Sequence, residues 1–247
     1  MKEIVLKVYK FDELPKDSQE KIIERECWNI MEQCMDARNI DYEKSMKAFE
    51  DLTDTKVYNW EVGYEIYDFK FRFKYNGCIY YHPNDYDKDI YPESLCGKLL
   101  FRYINNNIMP YITKGRYFST SGKYVDGEYK YRSKYSRVIF DYKDSCPLTG
   151  VCYDLYLLKP IIDYYNTWCN YPEDFSLEDL IRRCYNNFFR LWHKEYEYWA
   201  DNEDAIREEL HHNQYEDRLY YENGDVYVGS LNEGNYIPAY TTPYQQP

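Results

Sequence analysis

Residues 175–200 read FSLEDLIRRCYNNFFRLWHKEYEYWA. Leu177, Leu180, Ile181, Cys184, Phe188, Leu191 and Trp192 recur at the spacing of one helix face. Ser176 and Asp179 stand where a capping box would start that helix. Such a face must be buried against something. Residues 67–75, YDFKFRFKY, alternate aromatic and charged side chains, the pattern of a strand with one buried face. The pairing predicts an α+β fold: an antiparallel, tyrosine-rich sheet with helices packed on it and an acidic helical C-terminal portion.

The chain before this helix alternates between the two periods. Residues 2–11, KEIVLKVYKF, suit a first strand. A helix follows, with Asp17 or Ser18 as cap and Ile22, Ile23, Cys27, Ile30, Cys34 and Met35 on one face. A second, shorter helix is expected over 41–52, capped by Asp41. Residues 56–83 are rich in aromatic and β-branched residues, and Asn76-Gly77 is the strongest hairpin signal in the chain. Leu95 to Tyr111 reads as a helix that stops near Pro110. Strand character then resumes, with Asp126-Gly127 as a second tight turn.

Residues 145–160, SCPLTGVCYDLYLLKP, admit four readings: metal site, disulfide, nucleophile or corner. Zinc sites usually use tightly spaced cysteine pairs, whereas here five residues separate Cys146 from Cys152. A cysteine nucleophile would need a nearby base, which sequence does not identify. The corner reading is preferred: a turn at Pro147 and Gly150, then a helix from about Asp154 toward Trp168. Beyond the Phe175 helix come a short acidic helix, NEDAIREELHHN, and a hairpin-like element turned at Asn223-Gly224. Residues 1–229 are expected to form a single domain, with a boundary near residue 144 as an alternative. Residues 230–247, which hold little apolar content, are expected to be a flexible tail.

Composition bounds the function. The 247 residues can bury a substantial core, and a hydrophobic share of 44% does not suit a disordered chain. Thirty-three tyrosines fit both half-buried sheet faces and contact surfaces, and AT-rich coding would also produce them. No run of roughly 18 uncharged apolar residues occurs, so no membrane span is expected. The start lacks the pattern of a secretory signal, which suggests a reducing, cytoplasmic setting with the eight cysteines as thiols. The net charge is −12 but uneven. Residues 195–225 hold eleven acids against two arginines, a formal −9; residues 114–143 hold eight bases against three acids, a formal +5.

Three segments resemble a known group. YKFDELPKDSQEKIIER (9–25), CPLTGVCYDLYLLKPI (146–161) and NEDAIREELHHNQYEDRLYYENGDVY (202–227) are similar to a strand-then-helix opening, a Cys-Leu-Thr-Gly-type turn and a helix-then-hairpin ending. That set resembles small α+β proteins of bacteriophages and other mobile elements, anti-CRISPR and other anti-defence proteins among them. The match covers both ends and the turn, not the tyrosine-rich middle. Leu219 and Tyr220 stand near the position where the ending pattern has Phe. The resemblance brings no catalytic residues with it.

Three functions compete. The first is a phage or mobile-element inhibitor that binds and blocks a host defence nuclease complex, a nucleic-acid-binding effector. Carboxylates on a rigid helix imitate spaced phosphates, and complementary charge steers the encounter. Its contact residues would be Glu195, Glu197, Glu203, Asp204, Glu208 and Glu209, with exposed tyrosines adding area. The plain alternative is a solvated acidic helix. The second is a single-stranded nucleic-acid-binding module using Lys123, Tyr129, Lys130, Tyr131, Arg132 and Lys134, where rings stack on bases and cations meet phosphates. Its plain alternative is a hairpin kept soluble by its charges. The third is an enzyme with a carboxylate-based site. No phosphate-binding loop, nucleophile elbow or zinc-protease motif occurs, and there are four histidines. His211 and His212 are adjacent, so on a helix they point roughly 100° apart and make a poor metal pair. No catalytic residue, metal ligand or cofactor is assigned.

Overall fold

The computed structural model describes residues 6–80, 89–113, 118–125, 128–135, 147–150, 153–212 and 215–228. The fold is α+β. In chain order it runs α1 (Lys16–Thr53), β1 (Thr55–Val62), β2 (Tyr67–Phe73), α2 (Gly97–Tyr103), α3 (Met109–Thr113), β3 (Phe118–Val125), β4 (Glu128–Tyr135), α4 (Asp154–Thr167), α5 (Leu177–Asp201) and α6 (Glu203–Leu210). The strands form two separate antiparallel pairs, β1 with β2 and β3 with β4, rather than one sheet. By their contacts the residues fall into two units, Ala37–Glu195 and Met1–Asp36 with Tyr196–Pro247. That division lies inside α1 and α5, not near residue 144. The segment 230–247 lies outside the described residues.

In the unit Ala37–Glu195, α5 meets the β1–β2 hairpin as its periodicity implies. Phe69 stacks on Phe189 with ring centres 4.9 Å apart, Phe71 meets Tyr185 at 5.3 Å and Trp60 meets Trp192 at 5.2 Å. The capping box forms: Asp179 N–H donates to Ser176 Oγ (3.1 Å), and Ser176 N–H donates to Asp179 Oδ2 (3.0 Å). The Ser176 N–H and then the Ser176 hydroxyl (2.8 Å), both donating to Asp179 Oδ2, hold the Asp179 carboxyl below its usual range. The far side of α5 packs on α1, where Tyr42 lies between Trp192 (4.7 Å) and Tyr153 (3.7 Å).

Several sequence expectations change here. The helix expected over 41–52 is the last part of α1, an unbroken 38-residue helix. No proline or glycine interrupts it, Asp41 pairs with Lys44 instead of capping, and the Asn39 side chain accepts from Trp192 Nε1 (2.8 Å). Asp54, with φ 53°, ends the helix in the left-handed region, and its carbonyl accepts from Lys74 N–H (2.7 Å). The first hairpin turns at Gly63–Ile66, closed by a 2.9 Å bond, and not at Asn76-Gly77. The exposed Tyr75 ring lies over Gly77, where a side chain on residue 77 would displace it. β3 and β4 flank Asp126-Gly127 in register, with Val125 opposite Glu128. The helix expected to stop near Pro110 continues to Thr113 through a wide π turn at Ile104–Ile108.

The corner is held by its acid. Asp154 is fully buried at the start of α4. Its Oδ2 accepts from Leu148 N–H (2.9 Å) and Thr149 N–H (2.7 Å), and its Oδ1 from the hydroxyls of Thr149 (2.8 Å) and Ser45 (2.7 Å). The carboxylate thereby fastens the turn at 147–150 to α1. Cys146 and Cys152 lie outside the described residues; Cys27, Cys34, Cys78, Cys96, Cys169 and Cys184 are free thiols. Pro160 sits inside α4, where its missing N–H leaves the carbonyl four residues back without a helical partner. That carbonyl, Tyr156 O, accepts instead from Asn187 Nδ2 of α5 (2.6 Å).

The other unit is built on the first turns of α1, which Pro15 opens through its carbonyl, an acceptor for the N–H groups of Ser18 and Gln19. Ser18 is therefore not a cap; its hydroxyl donates to Glu222 O (2.6 Å). Among the described residues of the expected first strand, from Leu6 on, there is one bridge, Tyr9 with Tyr220, and Tyr220 also bridges Val226 across the Asn223-Gly224 turn. Gly224 has φ 91°, and a side chain there would crowd Ser18 O at 3.2 Å. Phe11, Ile22, Ile206, Leu210 and Tyr220 form the core of this unit.

Candidate interaction surface

Asn202 separates α5 from α6 with non-helical dihedrals, φ −99° and ψ 89°, and its side chain caps α6 by accepting from Ala205 N–H (3.1 Å). This break lets the end of one helix and the start of the next line an open depression formed by Glu197, Tyr198, Asp201, Asn202, Glu203 and Asp204. Four carboxylates are among the described residues that line it. Glu203 and Asp204 also lie in the first turn of α6, where negative charge suits the helix dipole. Ala205, Ile206 and Leu210 turn inward and keep that helix seated. Tyr198 is 54% exposed at the rim, a ring with one polar tip.

The six acids expected from sequence divide into groups. Glu197, Glu203 and Asp204 share the depression. Glu208 is exposed and Glu209 half-buried, one turn further along α6 and outside the lining. Glu195 belongs to the unit Ala37–Glu195, where it pairs with Arg38 Nη1 at 3.4 Å. There it adds to the effect of burial in raising the phenols of Tyr42 and Tyr153, the latter to about 12. Sequence reasoning missed Tyr198 and Asp201. Asp201 falls one helical turn after Glu197, a spacing visible in sequence, but convergence with Glu203 depends on the break at Asn202.

For the basic region the backbone register is defined. Lys123 pairs with Lys130, Ser121 with Arg132, Ser119 with Lys134, Tyr124 with Tyr129 and Gly122 with Tyr131. Strand alternation thus puts the basic positions 123, 130, 132 and 134 in one parity and the tyrosine positions 124, 129 and 131 in the other.

His211 lies 3.3 Å from Asp12, and its ring packs on Phe11 at 5.6 Å. Among the described residues no group of three or more His, Cys, Asp and Glu side chains is placed to hold a metal ion. No helix among them is long and apolar enough to cross a membrane. No family model, curated protein or solved structure matches the chain.

Proposed function

We propose that the chain is a non-catalytic inhibitor of bacteriophage or mobile-element origin that binds a nucleic-acid-handling defence complex in the host cytoplasm. Its docking surface is the depression at the α5–α6 break. The observation that carries this reading is the convergence of Glu197, Asp201, Glu203 and Asp204 around an exposed Tyr198. Carboxylates held on two helix ends stand where phosphates would stand in a basic groove, and they lose little freedom on binding. Tyr198 supplies rigid contact area beside them.

The test uses purified RNA-guided nuclease complexes, with target-DNA binding and cleavage measured as the protein is added. Inhibition by the native chain is expected, together with its loss when Glu197, Asp201, Glu203 and Asp204 are changed to lysine. Inhibition that survives the four reversals would move the contact elsewhere. No inhibition of any complex would remove the reading.

A further inference from the structure

The β1–β2 hairpin has a second face, opposite the one buried on α5, and its charge is of the other sign. Lys56 and Tyr58 of β1 and Lys70 and Arg72 of β2 are exposed, and Lys56 stands opposite Arg72 in the register. The strand pairing slips between Val57 and Asn59, and this bulge leaves Tyr58 outside the ladder, 57% exposed. The Arg72 guanidinium lies 5.8 Å from the Tyr58 ring centre. Lys56 and Lys74 are already paired with Glu50 and Asp51, each at 2.9 Å. Lys70 and Arg72 enter no ion pair among the described residues, so they are the cations this face presents. Glu61 and Asp68 face each other one pair further along the same face, beside Asn59 and Lys70, and Glu65 lies in the turn; Tyr58 and Arg72 stand toward the other end.

We propose that this face binds single-stranded nucleic acid. A base stacks on the Tyr58 ring beside the guanidinium, and Lys70 and Arg72 meet successive phosphates. Side chains two residues apart on one strand are roughly 6.6 Å apart, a step the phosphates of an extended strand can follow. The open ring beside the guanidinium is the feature that suits a stacked base rather than a bare anion. The inference is independent of the acidic depression and uses none of its residues.

The test is fluorescence anisotropy of an oligothymidylate of about twelve nucleotides, titrated with the full chain at rising salt. Two phosphate contacts predict a slope of log affinity against log salt of about −1.4, a loss of roughly sevenfold between 50 and 200 mM. Lys70→Ala should reduce the slope by about 0.7. Tyr58→Ala should weaken binding by roughly fivefold or more and leave the slope alone. Both side chains are exposed, so unchanged melting curves certify the fold of the variants. Absence of binding at 50 mM salt, or binding indifferent to both substitutions, overturns the proposal. A heparin fragment bound as tightly as the oligonucleotide would assign the face to polyanions without bases and overturn it too.

Discussion

Replacing Asp154 by alanine removes four hydrogen bonds from one fully buried carboxylate. The two hydroxyls recover part of the loss, because Ser45 Oγ and Thr149 Oγ1 already lie 3.4 Å apart and can rotate to bond each other. The N–H groups of Leu148 and Thr149 have no such recourse, and a buried donor without an acceptor costs about 1–3 kcal/mol. We therefore expect Asp154→Ala to destabilise by about 4 kcal/mol, a drop in melting temperature of roughly 8–16 °C. Asp154→Asn should cost about half as much. Its amide oxygen can accept both backbone bonds while its NH2 donates to the rotated hydroxyls. Urea unfolding followed by circular dichroism measures both. Equal losses for the two variants, or a loss below about 1 kcal/mol for alanine, would refute the claim that backbone satisfaction holds this corner.

Other outcomes follow from the same geometry. Ser176→Ala should cost about 1 kcal/mol through loss of the α5 cap, read by urea unfolding. The depressed Asp179 carboxyl contributes stability that is present above pH ~4 and fades as pH falls through its folded value, so the penalty of Ser176→Ala should shrink in acid. Tyr153 and Tyr164 are raised to about 12, mainly by burial, and Tyr42 and Tyr185 are raised further. Folding holds these protons, so stability should be intact below pH ~10 and fall as pH climbs toward 12; phenolate absorbance and unfolding should rise together. Asn187→Ala should cost about 1 kcal/mol or more with Pro160 in place. It should cost less in Pro160→Ala, whose new N–H can serve Tyr156 O, and a double-mutant cycle reads the difference.

What sequence could reveal was set by range. The Ser176–Asp179 cap, the alternation of β2, the helix start at Asp154 and the Asn223-Gly224 turn are written in neighbouring residues, and each appears where its local chemistry puts it. The continuity of α1 was hidden because Asn39 and Asp41 resemble a boundary; Asn39 is kept helical by Trp192, 153 positions away. Asn76-Gly77 carries the usual hairpin dipeptide, yet the hairpin turns earlier, at Gly63–Ile66. Asp154 was legible as a helix start and not as the anchor of a turn on Ser45. The acidic excess near the carboxyl end was plain, but the split that leaves Glu195 with Arg38 and gathers Glu197 with Asp201 depends on packing.

The π turn at Ile104–Ile108 carries a last implication. Ile104, Ile108, Met109 and Ile112 are all buried, and Asn105, Asn106 and Asn107 between them are exposed on the outer side of the wide turn. A π turn is a one-residue insertion in a helix, so shortening the asparagine run by one residue would restore ordinary α-helical pairing there and bring the ring of Pro110 against the carbonyl of the preceding turn. The extra residue thus lets the helical path run on through the proline to Thr113, and a chain without it would meet a steric stop at Pro110.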